Sequence, residues 1–177
     1  GRRAYTDEPE AWMKEGAMVL FEGQVGIIRY RKSELYQETA TDFVPVDEGK
    51  VNTERANDYF SIRKAYFELA IKEQEEQTEQ PHLRERLNAC YDAFVAKWGF
   101  FHSNDNKEFI MLDSLGVEVF TIEMQVKGDI FKSDIMREPV AFKKIDTTVQ
   151  LTPGEALASC LNFYGCVDMD YLMQTTG

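Results

Sequence analysis

The sequence predicts an α+β domain that is predominantly helical: a long antiparallel helical hairpin, a small β-hairpin element and a helix-turn-helix-like C-terminal tail. Three observations lead there. Two β-rich runs, residues 18–21 and 25–30, flank a turn at Glu22-Gly23-Gln24. Two later segments, residues 53 to about 77 and 81 to about 98, carry apolar residues at spacings of three and four. The last block opens on Thr152-Pro153-Gly154-Glu155, a capping box with proline in the first turn.

A two-stranded hairpin is marginal by itself, so residues 42–46 are the expected third strand, with Pro45 placing it at an edge. Residues 32–41 between them read as a polar loop. Residues 1–50 thus form a small three-strand element.

The first long helix takes Asn52 or Thr53 as its N-cap and aligns Tyr59, Ile62, Tyr66 and Leu69 on one stripe. At 1.5 Å per residue it reaches about 36 Å. Its end, KEQEEQTEQ, has no apolar residue, so Glu73, Glu75, Glu76 and Glu79 are expected to be a solvated terminus. Pro81 suits the first turn of the second helix, whose stripe runs Leu83, Leu87, Cys90, Tyr91, Phe94, Val95 and Trp98 before a left-handed cap at Gly99. Zipping these stripes together stabilises the fold by ~1.5 to 3 kcal/mol per fully buried large side chain, before the ordering entropy is deducted.

Residues 100–106 read as a turn and 107–115 as a short helix. Val117, Val119 and Thr121 alternate with Glu118, Phe120 and Ile122, which suits a strand to about Met124, although the same residues also fit a helix. Residues 51–144 form the second unit, a helical hairpin followed by a short β or irregular segment ending near Pro139. In the third, residues 145–177, a helix from Thr152 to Asn162 stops at Gly165, and Asp168 caps another running to about Thr175. The three units read as one compact domain.

A chain of 177 residues, 44% of them hydrophobic, hides roughly 70% of its unfolded surface and needs no staples. Cys90, Cys160 and Cys166 form neither a CxxC pair nor an even framework, and His82 and His102 lie at no ligand spacing from them, which argues against zinc. No run approaches the ~20 apolar residues of a membrane helix, and residues 1–14 lack the order of a signal peptide. A cytoplasmic protein without a membrane partner is expected. With 31 acidic against 20 basic residues, the net charge of −11 repels a polyanion unless a local basic patch overrides it.

Motifs for chemistry are sparse. The sequence contains no GxxxxGK[ST] phosphate loop and no GxGxxG after a strand. Ser159-Cys160 lies in an amphipathic stretch without a nearby histidine and reads as packing. Asp113, Asp129 and Asp134 are conceivable metal ligands, but solvated or turn-capping roles suit them better. An enzyme would need His102 to meet Asp113 or Asp129 in one cleft. The expectation is therefore no catalytic, cofactor-binding or metal residue. Candidate nucleic-acid contacts are Arg29, Arg31 and Lys32 on the first hairpin, with Lys127, Lys132, Arg137, Lys143 and Lys144 in residues 127–144, which hold five basic and three acidic side chains. The tail from residue 145 has no lysine or arginine, so it reads as packing on protein, its own continuation, rather than entering a DNA groove.

A pattern of short pieces covers about 125 residues. It comprises Ile62-Arg63-Lys64-Ala65, Leu87-Asn88, Tyr91-Asp92-x-Phe94-Val95, Gly99, Asn104 to Asn106, Asp129-Ile130-Phe131 and Pro139. Its last part is Glu155-Ala156-Leu157-x-Ser159-x-Leu161-Asn162-x-x-Gly165-x-Val167-Asp168-x-x-Tyr171. In this the chain resembles the region between the catalytic modules of large phage, plasmid and conjugative-element proteins. These combine an adenine-specific DNA methyltransferase domain with a Swi/Snf-like, superfamily-two helicase domain and are related to phage antirestriction proteins. Trp98 and Phe101-His102 depart from the family pattern, and the first 50 residues match only loosely. The methyltransferase signature, Asn or Asp followed by Pro-Pro-Tyr or Pro-Pro-Phe, is absent, so no catalytic residue carries over.

The resemblance implies a non-catalytic connecting domain that positions two catalytic modules of the same chain and contacts DNA between them. A DNA-binding module and a protein-interaction domain are the alternatives.

Overall fold

The computed structural model describes residues 1–33 and 38–140. Within them the fold is α+β. Four strands, β1 (Arg3–Ala4), β2 (Met18–Phe21), β3 (Gln24–Ser33) and β4 (Glu38–Pro45), form an antiparallel sheet in the order β1-β4-β3-β2. Phe21 pairs with Gln24, so the β2–β3 turn is only Glu22 and Gly23, with φ of 52° and 80°. Two consecutive left-handed residues give the tight turn whose twist matches the strands it joins, and glycine takes the second position without a side-chain penalty.

Two expectations for this sheet need correction. The stretch read as a polar loop is largely strand, because the β3–β4 ladder continues from Gly26↔Pro45 out to Ser33↔Glu38. Backbone pairing needs no apolar side chains on an exposed arm, so polarity hid the ladder. Nor is β4 simply an edge: β1 pairs with it through Phe43 and Asp42, and Pro45 lies beyond that pairing, opposite Gly26.

Helix α1 (Thr53–Glu76) begins at Asn52, whose side chain accepts from the Arg55 N–H at 3.0 Å, and α2 (Pro81–Trp98) carries its proline in the first turn. Tyr59, Ile62 and Leu69 of α1 and Leu87 and Phe94 of α2 are wholly buried and meet Met18, Ile28 and Phe43 of the sheet in one core. Gly99 ends α2 with φ 92° and ψ −176°, a positive-φ conformation but not the left-handed helical cap expected.

The end of α1 is not simply solvated. Glu73 is fully buried and forms an ion pair with Arg84 of α2, which also holds both carboxylate oxygens of Glu79, at 2.7 and 3.1 Å. The short helix connection brings Arg84, in the first turn of α2, opposite the last turn of α1. Glu75 and Glu76 remain exposed, the latter paired with Lys72 at 3.1 Å.

Beyond α2 come α3 (Asn104–Ile110) and α4 (Gly116–Phe120), then a separate antiparallel pair, β5 (Glu123–Val126) and β6 (Asp129–Lys132). Thus α3 starts within the expected turn, and the expected strand is helical over its first half. Gly116 explains the helical start: a Cβ there would lie 2.0 Å from the Ile110 carbonyl oxygen, so the α3–α4 corner closes only around glycine. Lys127 and Gly128, at φ 52° and 87°, form the β5–β6 turn. A single 3-10 turn, Asp134–Met136, follows. The helix-turn-helix-like tail, with Ser159, Cys160 and Cys166, lies outside the described residues.

Candidate functional site

Of the four buried acidic side chains among the described residues, Asp42 lies on the sheet and the other three organise the interior, two of them in structural hubs that the sequence reading missed. Asp113, between α3 and α4, accepts from the Met18 and Leu115 N–H groups through Oδ1, at 3.0 and 3.2 Å. Its Oδ2 accepts from the Tyr59 hydroxyl at 2.5 Å and Arg63 Nη1 at 2.9 Å. Arg63 Nη1 also donates to the Met18 carbonyl at 2.8 Å, which joins β2, α1 and the α3–α4 corner. Burial, with the Asp113 charge next, pushes the Tyr59 hydroxyl pKa far up.

Glu123, at the start of β5, forms the second hub. Its Oε1 accepts from the Tyr91 hydroxyl at 2.6 Å and the Phe101 N–H at 2.9 Å. Oε2 accepts from the His102 N–H at 2.7 Å and lies 2.7 Å from His102 Nδ1. Burial first, and the bond to Glu123 second, raise the Tyr91 pKa. The third, Glu73, meets Arg84 as an ion pair, although neither of its oxygens takes a well-aligned hydrogen bond. Desolvation lowers Arg84 to about 10, which leaves it charged at neutral pH.

These contacts settle where the residues imagined as a reaction centre lie. His102 faces Glu123, Asp113 is enclosed by Tyr59, Arg63 and two backbone N–H groups, and Asp129 is exposed beside the β5–β6 turn. They do not converge, and no group of three potential metal ligands occurs among the described residues. Signals for two of the missed residues were present. Arg63 interrupts the stripe between Ile62 and Tyr66, and Glu73 continues it four residues after Leu69, so each is a charge on a core-facing line. Glu123 carried no comparable local signal.

The candidate nucleic-acid contacts are mostly engaged with acids. Arg29 pairs with Glu15 at 3.3 Å, and Glu15 also takes the Tyr30 N–H at 2.7 Å, which holds its carboxyl below the usual range. Arg31 grips Asp42 with two bonds, at 3.1 and 3.2 Å, and lowers its pKa. Lys132 reaches Asp92 and Asn88, each at 2.9 Å, while Arg137 pairs with Asp134 and donates to the Lys132 carbonyl at 2.7 Å. Lys32 and Lys127 are exposed. Lys143 and Lys144 lie outside the described residues. The hairpin arginines sit on β3, and the others on the β5–β6 hairpin and the turn that follows it, in a different sheet.

The most conspicuous surface is apolar. Met124 and Phe131 stand directly opposite each other across β5–β6, and Val126 is two residues along on the same face. They are 42%, 50% and 47% exposed. A groove of about 380 Å³ separates this hairpin from α2 and is lined by Tyr91, Val95, Phe100, Ile130, Phe131 and Lys132, among others. Phe100, at 44% exposure, extends the apolar area. Among the described residues no helix is long and apolar enough to cross a membrane.

No curated protein and no solved structure matches the chain. Residues 149–177 match the family described as the winged helix domain of a probable helicase, so the tail read as helix-turn-helix-like is similar to a helicase-associated domain.

Proposed function

We propose that the chain is a non-catalytic connecting domain of a helicase-like protein. The observation that carries this reading is the similarity of residues 149–177 to a probable helicase's winged helix domain, in a sequence without a nucleotide-binding loop. The finer identity, a joint DNA methyltransferase/helicase of a phage, plasmid or conjugative element with antirestriction relatives, is supported only by the ordered residue pattern running from Ile62 to Tyr171. In this reading the flanking methyltransferase and helicase domains are the partners, and the protein works in the cytoplasm. The carboxylates of Asp113 and Glu123 hold elements together rather than await a substrate, which suits a part that keeps two engines in register. Purified protein, assayed for ATP hydrolysis and adenine methylation, is expected to give background rates. Activity of either kind above background overturns the proposal.

The winged-helix similarity also favours a second reading, a DNA-binding module. Its mark is a duplex affinity that falls steeply with salt, because neutralised phosphates release counterions. A flat salt response, or no binding at low ionic strength, removes it.

A further inference from the structure

We propose that the exposed apolar face of the β5–β6 hairpin, with the groove beside it, is the seat of the chain's own C-terminal segment, residues 145–177. The proposal is independent of the helicase reading. Met124, Val126 and Phe131 form an apolar patch, with Asp129 at its turn end, on a two-stranded sheet that has no third strand among the described residues. Clustered exposed apolar side chains of this kind mark a place that something covers.

Proximity favours the tail as that cover. After β6 the chain is pinned to α2, where Asn88 Nδ2 donates to the Met136 carbonyl at 2.8 Å, Arg84 donates to the Ile135 carbonyl, and Met136 is buried. The described chain reaches residue 140, so only residues 141–144 lie between it and the tail. Four extended residues span at most ~14 Å. A tether that short keeps the tail at an effective concentration on the order of millimolar.

Composition points the same way. The tail offers Leu157, Leu161, Phe163, Tyr164, Val167 and Tyr171 as apolar partners. Its charged residues are Asp146, Glu155, Asp168 and Asp170, with no lysine or arginine. Around the face stand Lys127, exposed in the hairpin turn, Lys132, which pairs with Asp92 of the groove wall, and Arg137, which pairs with Asp134, while Asp129 lies across from Val126. An apolar segment suits an apolar seat whose rim bases are matched by acids, whereas a nucleic acid meets the chain's net charge of −11 as repulsion.

Hydrogen exchange on the full chain tests this, comparing wild type with Phe131→Asp, Val126→Asp and Phe131→Leu. Both side chains changed, Phe131 and Val126, are half-exposed, and exchange in α1 and α2 reports whether the core stays intact. The expected result is protected tail amides in the wild type, exchange about tenfold faster in both aspartate variants, and near wild-type protection in Phe131→Leu. Lys127→Glu is expected to give a smaller increase. An unprotected wild-type tail, or tail exchange equal in all variants, overturns the proposal. So does hairpin protection that rises with protein concentration and tracks dimer in sedimentation, which assigns the face to a second copy. Hairpin protection that appears only on adding a single-stranded oligonucleotide assigns it to nucleic acid and equally overturns the proposal.

Discussion

The two β-hairpins are built on the same turn and come to different ends. Glu22-Gly23 and Lys127-Gly128 each put two consecutive residues at positive φ, the first at 52° and 80°, the second at 52° and 87°. Yet β2–β3 sits within a four-stranded sheet under α1 and buries Met18, Val19, Phe21, Val25 and Ile28, while β5–β6 has no further strand among the described residues and leaves Met124, Val126 and Phe131 half exposed. Local turn chemistry makes a hairpin; whether it becomes core or surface depends on what the rest of the chain lays against it. Here α1 is bolted to the first hairpin through Arg63, Met18 and Asp113, whereas the second is held, among the described residues, at its base, where Glu123 meets Tyr91 and His102 and Lys132 meets Asn88 and Asp92.

This contrast can be broken most violently at the bolt. Replacing Asp113 with alanine leaves the Arg63 guanidinium buried and uncompensated and frees the Tyr59 hydroxyl, an expected loss of about 3–5 kcal/mol in urea unfolding. Asp129→Ala in the second hairpin, where the side chain is exposed, is expected to stay within about 0.5 kcal/mol of wild type. Next comes Gly26→Ala in β3. A Cβ there would lie 2.5 Å from both the Phe43 ring and the Val44 carbonyl oxygen, so a cost of about 1–3 kcal/mol is expected.

The base of the second hairpin gives a smaller effect with a pH signature. Tyr91→Phe removes a donor from the buried Glu123, at an expected cost of about 1.5 kcal/mol near neutrality. Burial holds the pKa of Tyr91, and of Tyr59, above the ordinary tyrosine value. Above about pH 10 the unfolded chain therefore releases protons that the folded chain keeps, and stability falls as pH rises. Unfolding midpoints at pH 8 and pH 11 are expected to differ less in Tyr91→Phe than in the wild type. Smallest of all, Phe131→Asp on the open face is expected to change core stability by less than about 0.5 kcal/mol, measured as the unfolding midpoint.

The sequence made the long helices legible because their determinants are local. Asn52, Pro81 and Gly99 mark ends, and a stripe such as Tyr59-Ile62-Tyr66-Leu69 needs no knowledge of its partner. What escaped depends on partners distant in sequence. The outer β3–β4 ladder is polar and specified by pairing, and α4 follows from how Gly116 meets Ile110. The burial of Glu73 requires knowing that Arg84 comes opposite. Of the surface, the basic residues were legible as residue types, but their acid partners Glu15, Asp42, Asp92 and Asp134 were not. The open face of β5–β6 was hidden by the ambiguity of residues 117–124, which left the register of the second hairpin undefined.

Glu123→Gln tests most directly whether the buried polar groups serve the fold rather than a reaction. Glutamine keeps the shape but replaces one acceptor oxygen with an NH2 group facing donors from Tyr91, Phe101 and His102. Urea unfolding is predicted to show a lower midpoint with an unchanged slope, a loss of about 2–4 kcal/mol. A variant as stable as the wild type, or more so, would mark Glu123 as a group kept at the fold's expense for chemistry, and would contradict the account.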